Sequence, residues 1–109
     1  MTLSDVKTAL LTVSQKVYHH TAEGATGNYI VWAEDGQSNA VHGNGIMKAQ
    51  VIQGTIHYFT TTENDPVFDQ IQTALNAASV GFWLNSIQYE TETKYIHYEW
   101  VFDIPTEVA

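Results

Sequence analysis

The five histidines are the residues of this sequence best suited to acid–base chemistry or metal binding. Imidazole titrates near neutral pH and is a common nitrogen ligand of Zn²⁺. No His-X-His or His-Glu-X-X-His spacing occurs. His19 and His20 are adjacent at the end of a predicted helix, where side chains one position apart diverge and do not share a metal easily. The spacing therefore predicts no metal site.

In a predicted β-hairpin, the alternation of side-chain direction places one histidine beside carboxylates. His97 and Glu99 fall on the same face of the last strand, with Glu90 across the hairpin, and such a pair can perform acid–base chemistry. Solvent-facing positions of antiparallel sheets also hold such residues for cross-strand pairing, and we favour that interpretation. Cysteine is absent, and no nucleophile elbow or phosphate-binding glycine pattern occurs. The sequence predicts neither an enzyme nor a cofactor.

The charge of the chain excludes two classes of partner. Twelve carboxylates stand against four lysines, arginine is absent, and the formal net charge is −8. Nucleic-acid binding relies on clustered lysine and arginine, and anionic membrane surfaces attract the same residues. No apolar run approaches the roughly 20 residues of a membrane-spanning helix. We therefore expect no specific nucleic-acid binding and no membrane association.

The chain is predicted to form one domain over residues 1–109. Two of the secondary-structure elements that must position these residues are predicted helices. Apolar residues recur every three or four positions from Leu3 to Val17 and predict the first helix. Asp65-Pro66 predicts the start of a second helix over 66–79, because aspartate caps helices and proline fits the first helical position. Gly81 stands just beyond, where a left-handed residue ends many helices.

Four segments rich in β-branched and aromatic residues are predicted strands, at 29–33, 46–60, 82–91 and 95–104. Gly54 is the natural position for a bulge or bend in the second of them. The order α-β-β-α-β-β predicts an α+β fold, an antiparallel sheet with two helices packed on one side. In the last strand Trp100 and Phe102 alternate with Tyr95 and Val101. The first pair is predicted core, and the second pair is a predicted contact surface.

The segment Glu34 to Gly45 is rich in glycine, asparagine and serine and lacks an apolar periodicity. It is predicted to be a long exposed loop, which is mobile in the isolated subunit and becomes ordered on assembly. Loops of this length in compact domains are commonly functional. The predicted subunit or partner interface therefore comprises Glu34, Asp35, Gln37, Ser38, Asn39, His42, Asn44, Tyr95 and Val101.

Several stretches of the chain resemble one protein family. They are Tyr29-Ile-Val-Trp, Gln53-Gly-Thr-Ile-His-Tyr-Phe-Thr, Asn64-Asp-Pro-Val-Phe-Asp-Gln-Ile-Gln, Gln88-Tyr-Glu-Thr-Glu and Tyr95-Ile-His-Tyr-Glu-Trp. Together they extend over nearly the whole sequence. They resemble small bacteriophage and prophage tail proteins of the tail terminator, or tail completion, group.

The resemblance implies a structural virion protein. Such a subunit forms a hexameric ring that caps the tail tube and joins it to the head–tail connector, so its place is the virion tail, and the host cytoplasm during assembly. Two alternatives stay open. One is another phage neck or minor tail protein, and the other is a small-ligand-binding α+β module with a concave apolar pocket. An enzyme would place a strongly perturbed carboxylate or histidine in such a pocket.

Overall fold

The computed structural model describes the backbone of residues 1–43 and 46–107 and the side chains of residues 1–38 and 49–106. Over these residues the protein has two helices and five strands. Their order is α1 (Leu3–Leu11), β1 (Val17–His19), β2 (Tyr29–Gly43), β3 (Ile46–Thr60), α2 (Val67–Ala77), β4 (Gly81–Tyr89) and β5 (Ile96–Glu107).

The strands form one sheet in the order β1-β2-β3-β5-β4. Four of them pair antiparallel, as predicted, whereas β1 is parallel to β2. The predicted α+β fold is confirmed, with a mixed sheet in place of a purely antiparallel one. Neither helix in the described part of the chain is long and apolar enough to cross a membrane.

The hydrophobic core lies between the two helices and one face of the sheet. Successive strand residues point to opposite faces, so alternate residues of each strand are buried together. Trp100 and Phe102 are fully buried, which confirms their predicted place in the core. The other core residues are Val6, Leu10, Ile30, Trp32, Ile56, Tyr58, Ile71, Leu75, Val80, Tyr98 and Ile104.

The first helix is shorter than predicted, because it ends at Leu11. Val13 and Val17 continue the helical spacing, yet Val17 begins β1 and pairs with Ile30 of β2. Both valines pack against the core in this arrangement. Apolar residues four positions apart can both reach the core from a helix, and also from a turn followed by a strand. Their spacing alone therefore does not distinguish these two structures.

The structure also corrects the prediction of a loop from Glu34 to Gly45. Residues 34–43 continue β2 and pair with β3, and Asn44 lies outside the described residues. A β-bulge adds one residue to a strand and reverses which face the following side chains occupy. Such shifts erase the alternation that would identify a strand in the sequence. In β2 they occur at Glu34/Gly36 and Gln37/Asn39, whereas at the third shift, Val41/His42, the extra residue lies on β3 between Met47 and Ala49.

Asp65 fixes the start of α2, as the sequence predicts. The residue is only 8% exposed. Its Oδ1 accepts a hydrogen bond from the Val67 backbone N–H at 2.9 Å, and its Oδ2 accepts from the hydroxyls of Tyr58 and Thr60, both at 2.7 Å. The far end differs from the prediction, because Ser79 takes the left-handed conformation (φ 60) and Gly81 begins β4.

We expect Asp65→Ala to lower the free energy of unfolding by about 2–4 kcal/mol. The substitution removes a helix cap, worth about 1 kcal/mol, and leaves two buried hydroxyls without their acceptor. Urea denaturation at pH 7 measures the change. Asp69→Ala is the matched control, since this exposed carboxylate in the first turn of α2 contributes about 0.3–1 kcal/mol through the helix dipole. Equal losses in the two variants would contradict the assigned role.

The effect of Asp65 should depend on pH. Burial would raise the pKa of this carboxyl, but hydrogen bonds from Tyr58, Thr60 and the Val67 amide outweigh burial and hold the pKa below its ordinary value of 3.8. A lowered folded-state pKa contributes stability above the unfolded-state value, and this stability is lost as pH falls through the folded-state value. The difference between wild type and Asp65→Ala should therefore shrink in acid.

Candidate functional site

The sheet face turned away from the helices, here called the open face, brings together two histidines and a carboxylate. His57 on β3 pairs directly with Glu99 on β5, and His97 lies diagonally across the same two strands. His57 Nδ1 is 2.7 Å from His97 Nε2 and 3.6 Å from Glu99 Oε1. The predicted cross-strand pairing of His97 and Glu99 is therefore part of a larger cluster, the open-face triad His57–His97–Glu99.

Neighbouring polar groups hold two members of the open-face triad in place. The Thr55 hydroxyl lies 3.3 Å from His57 Nε2, and the Asn85 side-chain amide donates to Glu99 Oε2 at 2.6 Å. Burial and then the nearby His97 lower the pKa of His57, although Glu99 and Asp35 act in the opposite direction. The lowered pKa of His57 favours the neutral imidazole, the form that offers a nitrogen lone pair.

Stacked aromatic rings extend the open face beside the triad. The Phe59 ring lies between those of His97 and Tyr29, with ring centroids 4.3 and 4.9 Å away. Tyr95 meets Tyr29 and Phe59 edge to face, and its hydroxyl donates to the Gly27 carbonyl at 2.7 Å. A shallow depression of about 400 Å³ here is lined by His20, Ala22, Tyr29, Val31, His57, Phe59 and His97.

A second histidine cluster lies where β1 ends beside β2. Glu34 Oε1 is 2.7 Å from His19 Nε2 and 2.9 Å from His20 Nε2. The His19 ring also stacks on Trp32, with centroids 4.0 Å apart. Burial would raise the pKa of Glu34, but hydrogen bonds to its own backbone amide and to His19, with the charges of both histidines, lower it.

The expectation that His19 and His20 diverge is wrong. His19 is the last residue of β1 rather than part of a helix, and His20, which follows it, has a left-handed backbone with φ 68. This conformation brings two adjacent rings into a stack, with centroids 4.1 Å apart, above one carboxylate. The clustering of both histidine sets is thus set by backbone geometry that residue spacing does not reveal.

The predicted interface residues lie in several places. Asp35, Gln37 and Ser38 are exposed on β2. The Gln37 side chain accepts a hydrogen bond from the Gln50 amide at 2.7 Å, and Ser38 donates to Asp103 at 3.2 Å. Tyr95 and Val101 are half-buried and lie outside the core, as predicted. Asn39 and His42 belong to β2, and their side chains are outside the described residues, as is Asn44.

The sequence interpretation missed the strand that carries most of the exposed large apolar side chains among the described residues. Trp83, Leu84, Ile87 and Tyr89 all lie on β4 and are 39–61% exposed. Because β4 is an edge strand of the sheet, one side of its backbone also has no strand partner within the described part of the chain. Apolar residues in this segment were visible in the sequence, but their exposure follows from the strand order. We call this surface the β4 edge.

Two surface clefts test the alternative that the protein is a small-ligand-binding module. One of about 360 Å³ lies between the end of α1 and α2 and is lined by Thr12, Val13, Asp69, Gln70, Thr73, Ala74 and Ala77. Another, of about 630 Å³, is lined by Thr61, Glu63, Tyr89, Lys94 and Ile96. Most of these lining residues are solvent-exposed. Both clefts therefore lack the enclosed apolar wall typical of a small-molecule site.

Over the residues that the structure describes, a five-stranded mixed sheet is covered by two helices on one face and open on the other. No protein-family model matches the sequence, and no curated protein matches it either. Among solved structures, the fold is similar to a chain of the virion of a native gene transfer agent particle, with a TM-score of 0.59 and 17% identity. The match covers 94% of this chain and 92% of that chain, so the two share their fold over almost their full lengths.

Proposed function

We propose that this protein is a structural virion subunit of a phage-type particle, and in particular a tail terminator that forms a ring on the tail tube. The observation that carries the proposal is the full-length fold similarity to a chain of a gene transfer agent virion. The sequence motifs that resemble tail terminator proteins support the same assignment. Its partners are then further copies of itself, the tail tube and the head–tail connector, and it acts without catalysis.

The two edges of the sheet support assembly into a ring. The β4 edge, with its exposed apolar side chains, forms one edge of the sheet. At the other side β1 pairs only with Ile30 to Trp32, so the described part of β2 from Ala33 to Gly43 has no strand on its outer side. A contact between the β4 edge of one copy and β2 of the next joins two different surfaces. Head-to-tail contacts of this kind close into rings when the rotation between copies permits it.

Size-exclusion chromatography with light scattering tests the ring. A hexamer has six times the chain mass of 12.2 kDa, and we expect this species in wild-type protein at high concentration. Ile87→Glu places a charge at the centre of the β4 edge and should yield monomers with an unchanged circular dichroism spectrum, because this side chain is 56% exposed. Leu11→Glu is the matched control on α1, 43% exposed, and should still assemble.

Two results would count against the proposal. A wild-type protein that stays monomeric at all concentrations, and also fails to bind purified tail tubes, is not a ring-forming terminator. If Ile87→Glu assembles like wild type, a ring exists but the β4 edge does not form it. These results separate the proposed function from the proposed surface.

A further inference from the structure

We propose that the open-face triad binds a divalent transition-metal ion of the Zn²⁺ type through His57 Nδ1, His97 Nε2 and Glu99 Oε1. Two imidazoles and one carboxylate are a ligand set that holds zinc in proteins and leaves a fourth position open. Hard ions such as Mg²⁺ and Ca²⁺ prefer oxygen ligands, so this set discriminates against them. The inference is independent of ring assembly and goes beyond the proposed function.

The positions of the three ligand atoms fit one ion. They all lie within 4.8 Å of one another. Tetrahedral zinc with bonds of about 2.0–2.1 Å requires ligand atoms roughly 3.3–3.5 Å apart. The distances from His57 Nδ1 lie on either side of this value, at 2.7 Å to His97 Nε2 and 3.6 Å to Glu99 Oε1. Small side-chain rotations therefore suffice, while the paired strands β3 and β5 keep the backbones fixed.

The groups around the triad favour the ligating forms. When His57 Nε2 donates to the Thr55 hydroxyl, the proton is on Nε2 and the Nδ1 lone pair points at His97 and Glu99. The Asn85 amide binds Glu99 Oε2 and leaves Oε1 directed at His57. Partners of this kind orient metal ligands and set the histidine tautomer. Binding requires His97 to shift its proton to Nδ1, which neutral imidazole does readily.

There is space for the remaining coordination position. His57 and His97 border the open-face depression of about 400 Å³, so a water molecule can complete the site. Side-chain exposure of His57 and Glu99 is 25% and 23%, compared with 43% and 56% for His19 and His20 in the other cluster. Less exposed ligands lose less conformational freedom on binding, so the open-face triad is the better site and the second cluster serves as a control.

Isothermal titration of untagged, chelator-treated protein with Zn²⁺ tests the site. We expect one equivalent per chain, no heat with Mg²⁺, and a visible absorption band when Co²⁺ replaces Zn²⁺. His97→Gln should weaken Zn²⁺ binding at least about 100-fold, and Asn85→Ala by about 10–100-fold, the usual effect of losing an outer-shell partner. His19→Gln, in the second cluster and outside the depression, should bind as wild type does.

A measurement on wild-type protein guards against variants that fail to fold. Imidazole NMR signals of His57 and His97 should shift with saturating Zn²⁺, whereas those of His19, which does not border the depression, should not. Absence of a stoichiometric Zn²⁺ heat in wild type would overturn the proposal. Binding that survives His97→Gln but disappears in His19→Gln would overturn it too, because the ion would then belong to the other cluster.

Discussion

Trp100→Ala is expected to lower the free energy of unfolding by about 3–5 kcal/mol, the usual cost of truncating a buried aromatic residue. Trp100 is 0% exposed, and its ring packs against those of Tyr98 and Phe68, with centroids 6.1 and 5.4 Å away. Its indole N–H donates to the Gln72 side chain on α2 at 3.1 Å, so the residue also connects β5 to that helix. A small domain has only about 5–15 kcal/mol of stability in total, so this loss is a large share of it.

Trp83→Ala is the matched control for Trp100→Ala. It removes the same side chain from the same sheet, but Trp83 is 46% exposed on β4. At concentrations where the protein is monomeric, we expect a loss of about 1 kcal/mol or less, since substitutions of exposed residues have small effects. Urea denaturation of both variants measures the contrast. Equal losses would mean that the assignment of core and exposed residues in this sheet is wrong.

The core and the second helix were predictable because their determinants are local. Alternation along β5 separates Trp100 and Phe102 from their neighbours within a few residues, and the strand face follows directly. Asp65-Pro66 determines the start of α2 through a hydrogen bond that spans two residues. Such patterns require no knowledge of distant pairing, and the structure agrees with both predictions.

The elements that the sequence misassigned depend on distant partners. β1 is three residues long and is a strand only because it pairs with β2, so its own residues carry little information. Bulges in β2 interrupt the alternation in a glycine- and asparagine-rich segment, which made an extended strand resemble a loop. In each case the tertiary pairing outweighs the local propensity.

The open-face triad also depends on distant pairing, so it could be predicted from the sequence only in part. His97 and Glu99 could be placed on one strand face from the sequence, but His57 is 40 residues away. Only the register between β3 and β5 brings it opposite Glu99. A change of one residue in that register would place His57 on the buried face, because side-chain direction alternates at every position.

Gly54→Ala is the second large effect that we expect. Gly54 is buried in the middle of β3, between Glu34 of β2 and Phe102 of β5. A Cβ atom there would lie 2.2 Å from the Ala33 carbonyl oxygen and 2.5 Å from Phe102 Cζ. Both contacts are far too short, and one of them is with backbone. Overpacking of this kind costs about 1–3 kcal/mol or more, and we expect about 3 kcal/mol here because two strands must separate.

Gly36→Ala is the control for Gly54→Ala. Gly36 is exposed on β2, and a Cβ atom at this position meets nothing within 4 Å. Its unfolding free energy should change by no more than about 0.5 kcal/mol. Thermal and urea unfolding of the two variants measure the difference. If Gly54→Ala is as stable as Gly36→Ala, the Phe102 ring does not cover Gly54.

The contacts of Gly54 also explain where the long β2–β3 hairpin departs from regular pairing. The sequence suggested a bulge or bend at this glycine, yet β3 runs unbroken from Ile46 to Thr60. The first register shift lies instead in β2, immediately after the pair Glu34–Gly54. Gly54 thus leaves room for the Phe102 ring in the core, while the partner strand takes up the irregularity. A side chain at Gly54 should therefore disturb both neighbouring strands, which amide hydrogen exchange in β2 and β5 would detect.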